Sequence, residues 1–171
     1  MYDTRGRISN QNNSNGQNVS YSYGNRTVNN TTNGRTYSKT FDAWGGVKLV
    51  TDPATSIAYT YTSLGKPKTV TTEEAILTMT YDDTGVQRTL TDPNAGTTTY
   101  NYDAAGRLTK QEDSRGKVTI NEYDDLGQLI TSTVDGVATT YTYGKSGNEL
   151  LRLVKSQTGN NSREYVYDTF G

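Results

Sequence analysis

Neighbouring acidic residues are the feature of this sequence that comes closest to catalytic chemistry. Two carboxyl groups on either side of a glycosidic bond can hydrolyse it. Such pairs stand at Glu73/Glu74, Asp82/Asp83 and Asp124/Asp125. Adjacent side chains in a strand or turn point in different directions, and both aspartate pairs belong to a turn motif that recurs along the chain. We therefore interpret these carboxylates as structural.

The other common routes to catalysis and metal binding need residue types that this chain lacks. It has no histidine and no cysteine, which excludes Ser-His and Cys-His nucleophiles and removes the usual zinc ligands. It also has no calcium loop of alternating acidic residues. Asp52-Pro53 and Asp92-Pro93 each stand where a turn is expected, so neither is interpreted as a self-cleaving aspartate. The sequence predicts no enzyme activity, no catalytic residue, no metal and no cofactor.

Charge and composition narrow the class of protein further. Seventeen basic and eighteen acidic residues are scattered along the chain, which argues against nucleic acid as a partner. No apolar run approaches the roughly 20 residues that span a bilayer, so no membrane span is predicted. Only 31% of the residues are hydrophobic, yet fourteen are tyrosine. Such a composition, rich also in threonine, is typical of an ordered β protein with a thin core.

An aromatic residue followed four positions later by glycine recurs along the chain. The copies are Tyr2/Gly6, Phe41/Gly45, Tyr61/Gly65, Tyr81/Gly85, Tyr102/Gly106, Tyr123/Gly127, Tyr143/Gly147 and Tyr167/Gly171, with a degenerate copy at Tyr23-Gly24-Asn25. In six copies an aspartate follows the aromatic residue. Aspartate accepts hydrogen bonds from the next backbone N–H groups, and glycine supplies the positive φ of a type I turn closed by a bulge. The motif therefore predicts a hairpin turn, here called the YD turn.

A second set of turn-forming residues lies half a period away from the first. Its members are Asn10 to Gly16, Asn29 to Gly34, Thr51-Asp52-Pro53, Thr72 to Glu74, Asp92 to Gly96, Asp113-Ser114-Arg115-Gly116, Asp135-Gly136 and Gly159-Asn160-Asn161. Short segments rich in Thr, Tyr, Val, Leu and Ile separate the two sets, so each repeat is a strand, a turn, a strand and a turn. The predicted fold class is all-β, with tandem hairpin repeats of about 20 to 21 residues forming one curved or spiralling antiparallel sheet.

The tyrosines are predicted to share one face of this sheet. Those outside the YD turn positions lie two residues before the motif aromatic, or four in the case of Tyr37. Successive side chains in a strand alternate between faces, so even offsets place the tyrosines together. We expect this to be the inner face.

The copies from Thr91 onward resemble a known repeat. The run Thr91-Asp92-Pro93-Asn94-Ala95-Gly96, followed by Tyr100-Asn101-Tyr102-Asp103-Ala104-Ala105-Gly106-Arg107, is similar to the YD repeat of Rhs and wall-associated proteins, of the BC components of insecticidal toxin complexes, and of teneurins. The resemblance covers essentially the whole chain. It implies a single YD-repeat array over residues 1–171, with about eight repeats and residues 10–37 the most degenerate, as a fragment of a longer protein.

The resemblance also implies a function and partners. In the bacterial members such repeats spiral into a hollow shell that encloses a C-terminal toxin. The expected function is a non-catalytic segment of such a shell, exported as part of a secreted or cell-surface bacterial protein. The expected partners are the rest of the shell and its enclosed toxin domain. Open strand edges also make self-association possible.

The sequence offers two sets of candidate residues, one for a structural role in the repeat and one for carbohydrate contact. Structural roles in the repeat are predicted for Tyr81, Asp82, Gly85, Tyr102, Asp103, Gly106, Arg107, Tyr123, Asp124 and Gly127. The position of Arg107 varies among the copies, so it is interpreted as a solvated residue or a cross-strand partner at an exposed turn. Rows of aromatic rings also stack on sugars, which leaves a carbohydrate-binding or adhesive surface module as the alternative function. Its candidate contacts are Tyr59, Tyr100, Tyr141 and Tyr165.

Overall fold

The structure is a computed structural model that describes residues 1–12 and 17–170. It contains strands β1 to β16 at Asn10–Asn12, Asn18–Gly24, Thr27–Thr32, Arg35–Phe41, Val47–Thr51, Ser56–Tyr61, Pro67–Thr71, Ile76–Tyr81, Gln87–Asp92, Gly96–Tyr102, Leu108–Glu112, Val118–Tyr123, Leu129–Val134, Val137–Tyr143, Leu153–Thr158 and Asn161–Glu164. One 3-10 helix spans Gly147–Glu149. No α-helix occurs in the described part of the chain, and none of its helical segments is long and apolar enough to cross a membrane.

The chain divides into two compact units, Met1–Thr80 and Tyr81–Gly171. In the first unit, consecutive strands from β1 to β8 pair antiparallel. In the second unit, consecutive strands from β9 to β16 do the same. Each unit is therefore a meander of hairpins, and the predicted all-β fold of tandem antiparallel hairpins is confirmed.

The strands join through the two predicted kinds of turn. At the YD turns the strand register shifts beside the aromatic residue, so Tyr102 pairs with Leu108 whereas Asn101 pairs with Lys110. This is the bulge predicted from the motif glycine. Asp135 and Gly136 form a two-residue turn with φ values of 49° and 81°, as the type I′ pattern predicts.

Several turn predictions need correction. Asn29 to Thr32 belong to β3, and only Asn33-Gly34 make the turn, with φ values of 53° and 74°. In the degenerate copy, Asn25 and Arg26 join β2 to β3, with Gly24 paired to Thr27. Asn33 takes the positive φ that asparagine tolerates, whereas in the turn after β2 it is Arg26 that has a positive φ, of 60°. The predicted turn at Asn10 to Gly16 overlaps β1, and its residues 13–16 lie outside the described residues, as does Gly171.

The copy at Tyr143/Gly147 is also not a YD turn. Residues 144–152 form a longer loop in which Gly144 pairs with Leu150 in a parallel bridge and Leu151 has a φ of 60°. A Cβ atom on Gly144 would overlap the carbonyl oxygen of Glu149. The spacing of tyrosine and glycine is preserved, but Gly144 stands where the other copies with this spacing have aspartate or threonine, so this position offers no side-chain oxygen to organise the turn.

Side-chain exposure alternates along β2 and β10, whereas β3, β9, β11 and β13 are half-buried at every position, and the described residues enclose no apolar core. In β10, Thr98, Tyr100 and Tyr102 are half-buried, whereas the residues between them are exposed. Strand pairing carries this face from Tyr21 through Asn30 to Tyr37. No hydrophobic side chain is fully buried in this part of the chain. The tyrosine face is the less exposed one in β2 and β10 but not in β4, where Tyr37 is exposed, and its being an inner face stays a prediction.

Candidate functional site

The YD turn is built around its aspartate, as Asp103 shows. The Oδ1 atom of Asp103 accepts the backbone N–H of Ala105 at 3.0 Å and of Arg107 at 2.9 Å. The main chain closes through Gly106 N–H to Asp103 O at 3.0 Å, with Gly106 at a φ of 80°. The same pair of bonds, to the residues two and four positions on, occurs at Asp3, Asp42, Asp82 and Asp124. The carboxylate therefore satisfies the backbone donors of the turn.

These hydrogen bonds favour the ionised aspartate. The hydroxyl of Thr84, with further donors behind it, lowers the pKa of Asp82 from 3.8 to about 2. The backbone N–H of Arg107 lowers the pKa of Asp103, and that of Arg7 lowers the pKa of Asp3. A carboxylate stabilised as an anion is a poor general acid or base at neutral pH. The electrostatics of these turns are those of a structural motif.

Asp113 shows that the turn does not need the tyrosine. Its Oδ1 atom accepts the backbone N–H of Arg115 and of Lys117, each at 2.9 Å. Gly116 has a φ of 78°. This turn, predicted as one of the second set, therefore has the geometry of a YD turn. The tyrosine of the motif must have a different task.

That task is a hydrogen bond to the preceding repeat. The Tyr123 hydroxyl donates to the carbonyl oxygen of Leu108 at 2.9 Å, and the Tyr61 hydroxyl donates to that of Val47 at 2.7 Å. Equivalent bonds join Tyr23 to Ile8, Tyr143 to Leu129 and Tyr167 to Leu153. The sequence analysis missed these bonds. The sequence offers only a weak signal for them, an aliphatic residue 14 or 15 positions before each tyrosine.

Arginine links repeats in a second way, here called the arginine clamp. The Arg107 Nε atom donates to Asp103 Oδ2 at 2.7 Å, and its Nη1 atom donates to the Asp124 carbonyl oxygen at 3.0 Å. Its guanidinium carbon lies 4.9 Å from the ring centre of Tyr123. The side chain thus joins its own turn to the next one. The interpretation of Arg107 as a solvated or cross-strand residue missed this contact between repeats.

Other copies build the same clamp. Arg7 bonds Asp3 through Nε and lies 4.0 Å over the ring of Tyr23. Arg88, which enters from two positions further along the strand, bonds Asp82 and lies 5.9 Å over Tyr102. A guanidinium on an aromatic face gains about 0.5 to 1 kcal/mol at exposed sites. The position of the arginine differs between copies, but in each the guanidinium contacts the aspartate of its own turn and the tyrosine of the next copy.

The four tyrosines predicted to contact carbohydrate are half-buried; Tyr59, Tyr100 and Tyr141 lie on strands that enter turns, and Tyr165 directly follows β16. Tyr59 lines a groove of ≈ 620 Å³ that also contains Tyr61 and Trp44. Tyr100, Tyr141 and Tyr165 each stand on a separate stretch of chain, two residues before the motif aromatic. In the described part of the chain no cluster of three His, Cys, Asp or Glu residues could hold a metal. Carbohydrate contact by the four tyrosines stays a prediction.

Comparison with known proteins identifies this architecture. The model of the teneurin YD-shell family matches residues 1–120. The crystal structure of TcdB2-TccC3-TEV matches with a TM-score of 0.77 and 18% identity over 100% of this chain, which corresponds to 11% of that chain. That of TcdB2-TccC3 matches with a TM-score of 0.46 and 19% identity, over 95% of this chain and 9% of that one. Curated proteins give no match. The first likeness shows the fold, of which this chain spans a small part.

Proposed function

Because the chain belongs to the teneurin YD-shell family, we propose that it is a non-catalytic wall segment of a YD-repeat shell. The shell would enclose or display a C-terminal toxin domain in a secreted or cell-surface bacterial protein. The remainder of the shell and the enclosed domain are the partners. The toxin and the bacterial origin rest on the resemblance of the repeats to Rhs proteins.

One observation carries the structural role: the sheet has a repeated internal framework but no enclosed core. No hydrophobic side chain is buried among the described residues. Units whose described hydrophobic side chains are all at least partly exposed are suited to be part of a larger wall, in which other segments cover them.

The exposed residues at the tips of the YD turns also support a role as part of a wall. The residue before the motif glycine is large and apolar in several copies, and its side chain is strongly exposed at Trp44, Leu64, Leu126 and Phe170. Exposed apolar groups of this kind are typical of surfaces that contact other polypeptide. Among the described strands, β16 has β15 as its one partner. Both features support continuation or self-association of the wall.

Protection of the enclosed domain is the experiment that tests the function. In the full-length protein containing this segment, a protease should leave the C-terminal domain intact while the wall is closed. Replacing Gly106 and Gly127 together by Val should open the wall and expose that domain, because valine resists positive φ. Equal digestion of the C-terminal domain in both proteins would contradict the proposal.

A further inference from the structure

The YD turns at Asp42 and Asp124 keep the aspartate and the following tyrosine but have no arginine between them, and the first of these is the more open. In the turn that begins at Phe41, Gly46 stands at the position that Arg7 and Arg107 hold in their own copies. The Asp42 Oδ1 atom accepts the backbone N–H groups of Trp44 and Gly46, each at 2.8 Å. No described residue donates to the other carboxylate oxygen, which is the atom that binds guanidinium in the clamped copies.

The tyrosine on the other side of this position is still in place. Tyr61 donates its hydroxyl to the Val47 carbonyl oxygen, as the clamped tyrosines do in their copies. A Cβ atom on Gly46 would lie 2.8 Å from Asp42 Oδ2 and 3.2 Å from Tyr61 Cε2. The carboxylate and the ring edge therefore lie directly against Gly46, and the carboxylate would have to shift before a side chain could be added there. No arginine or lysine lies over the ring of Tyr61 in the described structure.

The result is a groove of ≈ 680 Å³ at the surface. It is lined by Asp42, Trp44, Gly45, Gly46, Tyr61, Thr62, Ser63 and Gly65, and Asp42 is the one charged residue among them. The Trp44 side chain is 95% exposed beside it. Lys48 stands six residues after Asp42, as Arg88 does after Asp82, but it is exposed and forms no ion pair with Asp42. Arg26 and Lys48 line an adjoining groove that shares Asp42, Trp44 and Tyr61, but among the described residues neither forms an ion pair with this carboxylate.

We propose that this groove binds an arginine side chain presented by another polypeptide. The chemistry of the occupant follows from the chain itself, because the same aspartate and tyrosine hold a guanidinium in the copies of Arg7 and Arg107. Arginine fits better than lysine, since its planar fork can bond a carboxylate and stack on a ring at the same time. Trp44 adds a second aromatic surface for the same cation.

Trp44 also provides the readout, because it is the one tryptophan in the chain. Its fluorescence is followed while Nα-acetyl-arginine amide is added, with the citrulline compound as an uncharged probe of the same shape. Saturable binding of the arginine probe, about tenfold tighter than that of citrulline, is expected from loss of the ion pair and the cation–π contact. Equal binding of the two probes, or saturation by a disaccharide without saturation by arginine, would overturn the proposal.

Two variants locate the binding. Gly46→Arg should abolish it, because the introduced guanidinium occupies the groove once the Asp42 carboxylate turns aside. Asp42→Asn should weaken it about tenfold while leaving an oxygen to organise the turn. Asp103→Asn is the matched control in a clamped copy and should leave the Trp44 titration unchanged, as should Lys48→Met. Arginine binding that survives Gly46→Arg would show that the site is elsewhere.

Discussion

The turn at Asp103 and the turn at Asp42 have the same backbone but different surfaces. In the first, Arg107 covers the ring of Tyr123 and bonds Asp103. In the second, Gly46 leaves the ring of Tyr61 and one oxygen of Asp42 without a cation. The aspartate and glycine that form the turn are present in both. Formation of the turn and linkage of one repeat to the next are thus separate tasks, carried by different residues of one motif.

Replacing the turn glycine should lower stability more than any other change, in the turn at Asp103 as in the turn at Asp42. Gly106 has a φ of 80°, and a Cβ atom added to it would meet no heavy atom within 4 Å. Its substitution is therefore opposed by backbone conformation and not by lack of space. Gly106→Val should lower the free energy of unfolding by about 2 kcal/mol. Chemical denaturation measures this.

Gly24→Val is the matched control for that change. Gly24 is exposed in β2, has an ordinary φ and would place its Cβ 3.6 Å from Thr27. Valine favours strands, so this variant should be neutral or slightly stabilising. If both valine variants unfold at the same denaturant concentration, the turn glycine has no special role.

Removing the tyrosine hydroxyl should have the next largest effect. Tyr123→Phe leaves the Leu108 carbonyl oxygen without this donor and should cost about 1 kcal/mol. The Tyr100 hydroxyl has no hydrogen-bond partner among the described residues, so Tyr100→Phe is the control and should change little. Thermal unfolding of the two variants separates a hydroxyl that joins repeats from one that does not. A larger loss in Tyr100→Phe would contradict the assignment.

Removing the arginine from the Asp103 turn and adding one to the Asp42 turn should each have a smaller effect on the melting temperature. The two changes should be of opposite sign. Arg107→Ala should lower the melting temperature by about 3 °C, because the side chain is partly exposed and solvent weakens its contacts. Gly46→Arg should raise it by a similar amount once the new side chain reaches Asp42 and Tyr61. A fall in melting temperature with both variants would show that the second turn is not a clamp site lacking its arginine.

Acidification should have the smallest effect of these changes on stability near neutral pH. The melting temperature should fall increasingly as the pH drops below about 4, the ordinary range of the aspartate pKa. The folded pKa of Asp82 is lowered to about 2 from 3.8, and the pKa of Asp103 is also lowered. A lowered folded pKa adds stability above the unfolded value, and this stability is lost as pH falls from about 4 toward 2. Asp82→Asn should flatten the dependence of the melting temperature on pH in that window. An unchanged slope would argue against the Thr84 and Val86 hydrogen bonds.

The turns were the most predictable part of the fold. Aspartate and glycine act on the backbone within four residues, so the positions of Asp103 and Gly106 were enough to predict a hairpin and its bulge. The prediction failed at Tyr143/Gly147, where the aspartate is replaced by Gly144 and the loop lengthens. The asparagine-rich turns after β2 and β3 were predicted less well, because asparagine serves both in strand and in turn there.

The sequence by itself determined the strand period, the turn chemistry and the common face of the tyrosines, because each depends on interactions between residues close along the chain. Only the tertiary structure decided what joins the repeats. The Tyr123 hydroxyl bonds a main-chain carbonyl, which any residue could supply, and the guanidinium over its ring comes from a residue in the preceding turn. The groove beside Trp44 likewise needed the tertiary structure. The sequence shows a glycine at position 46, but only the structure shows that Asp42 and Tyr61 are left uncovered beside it.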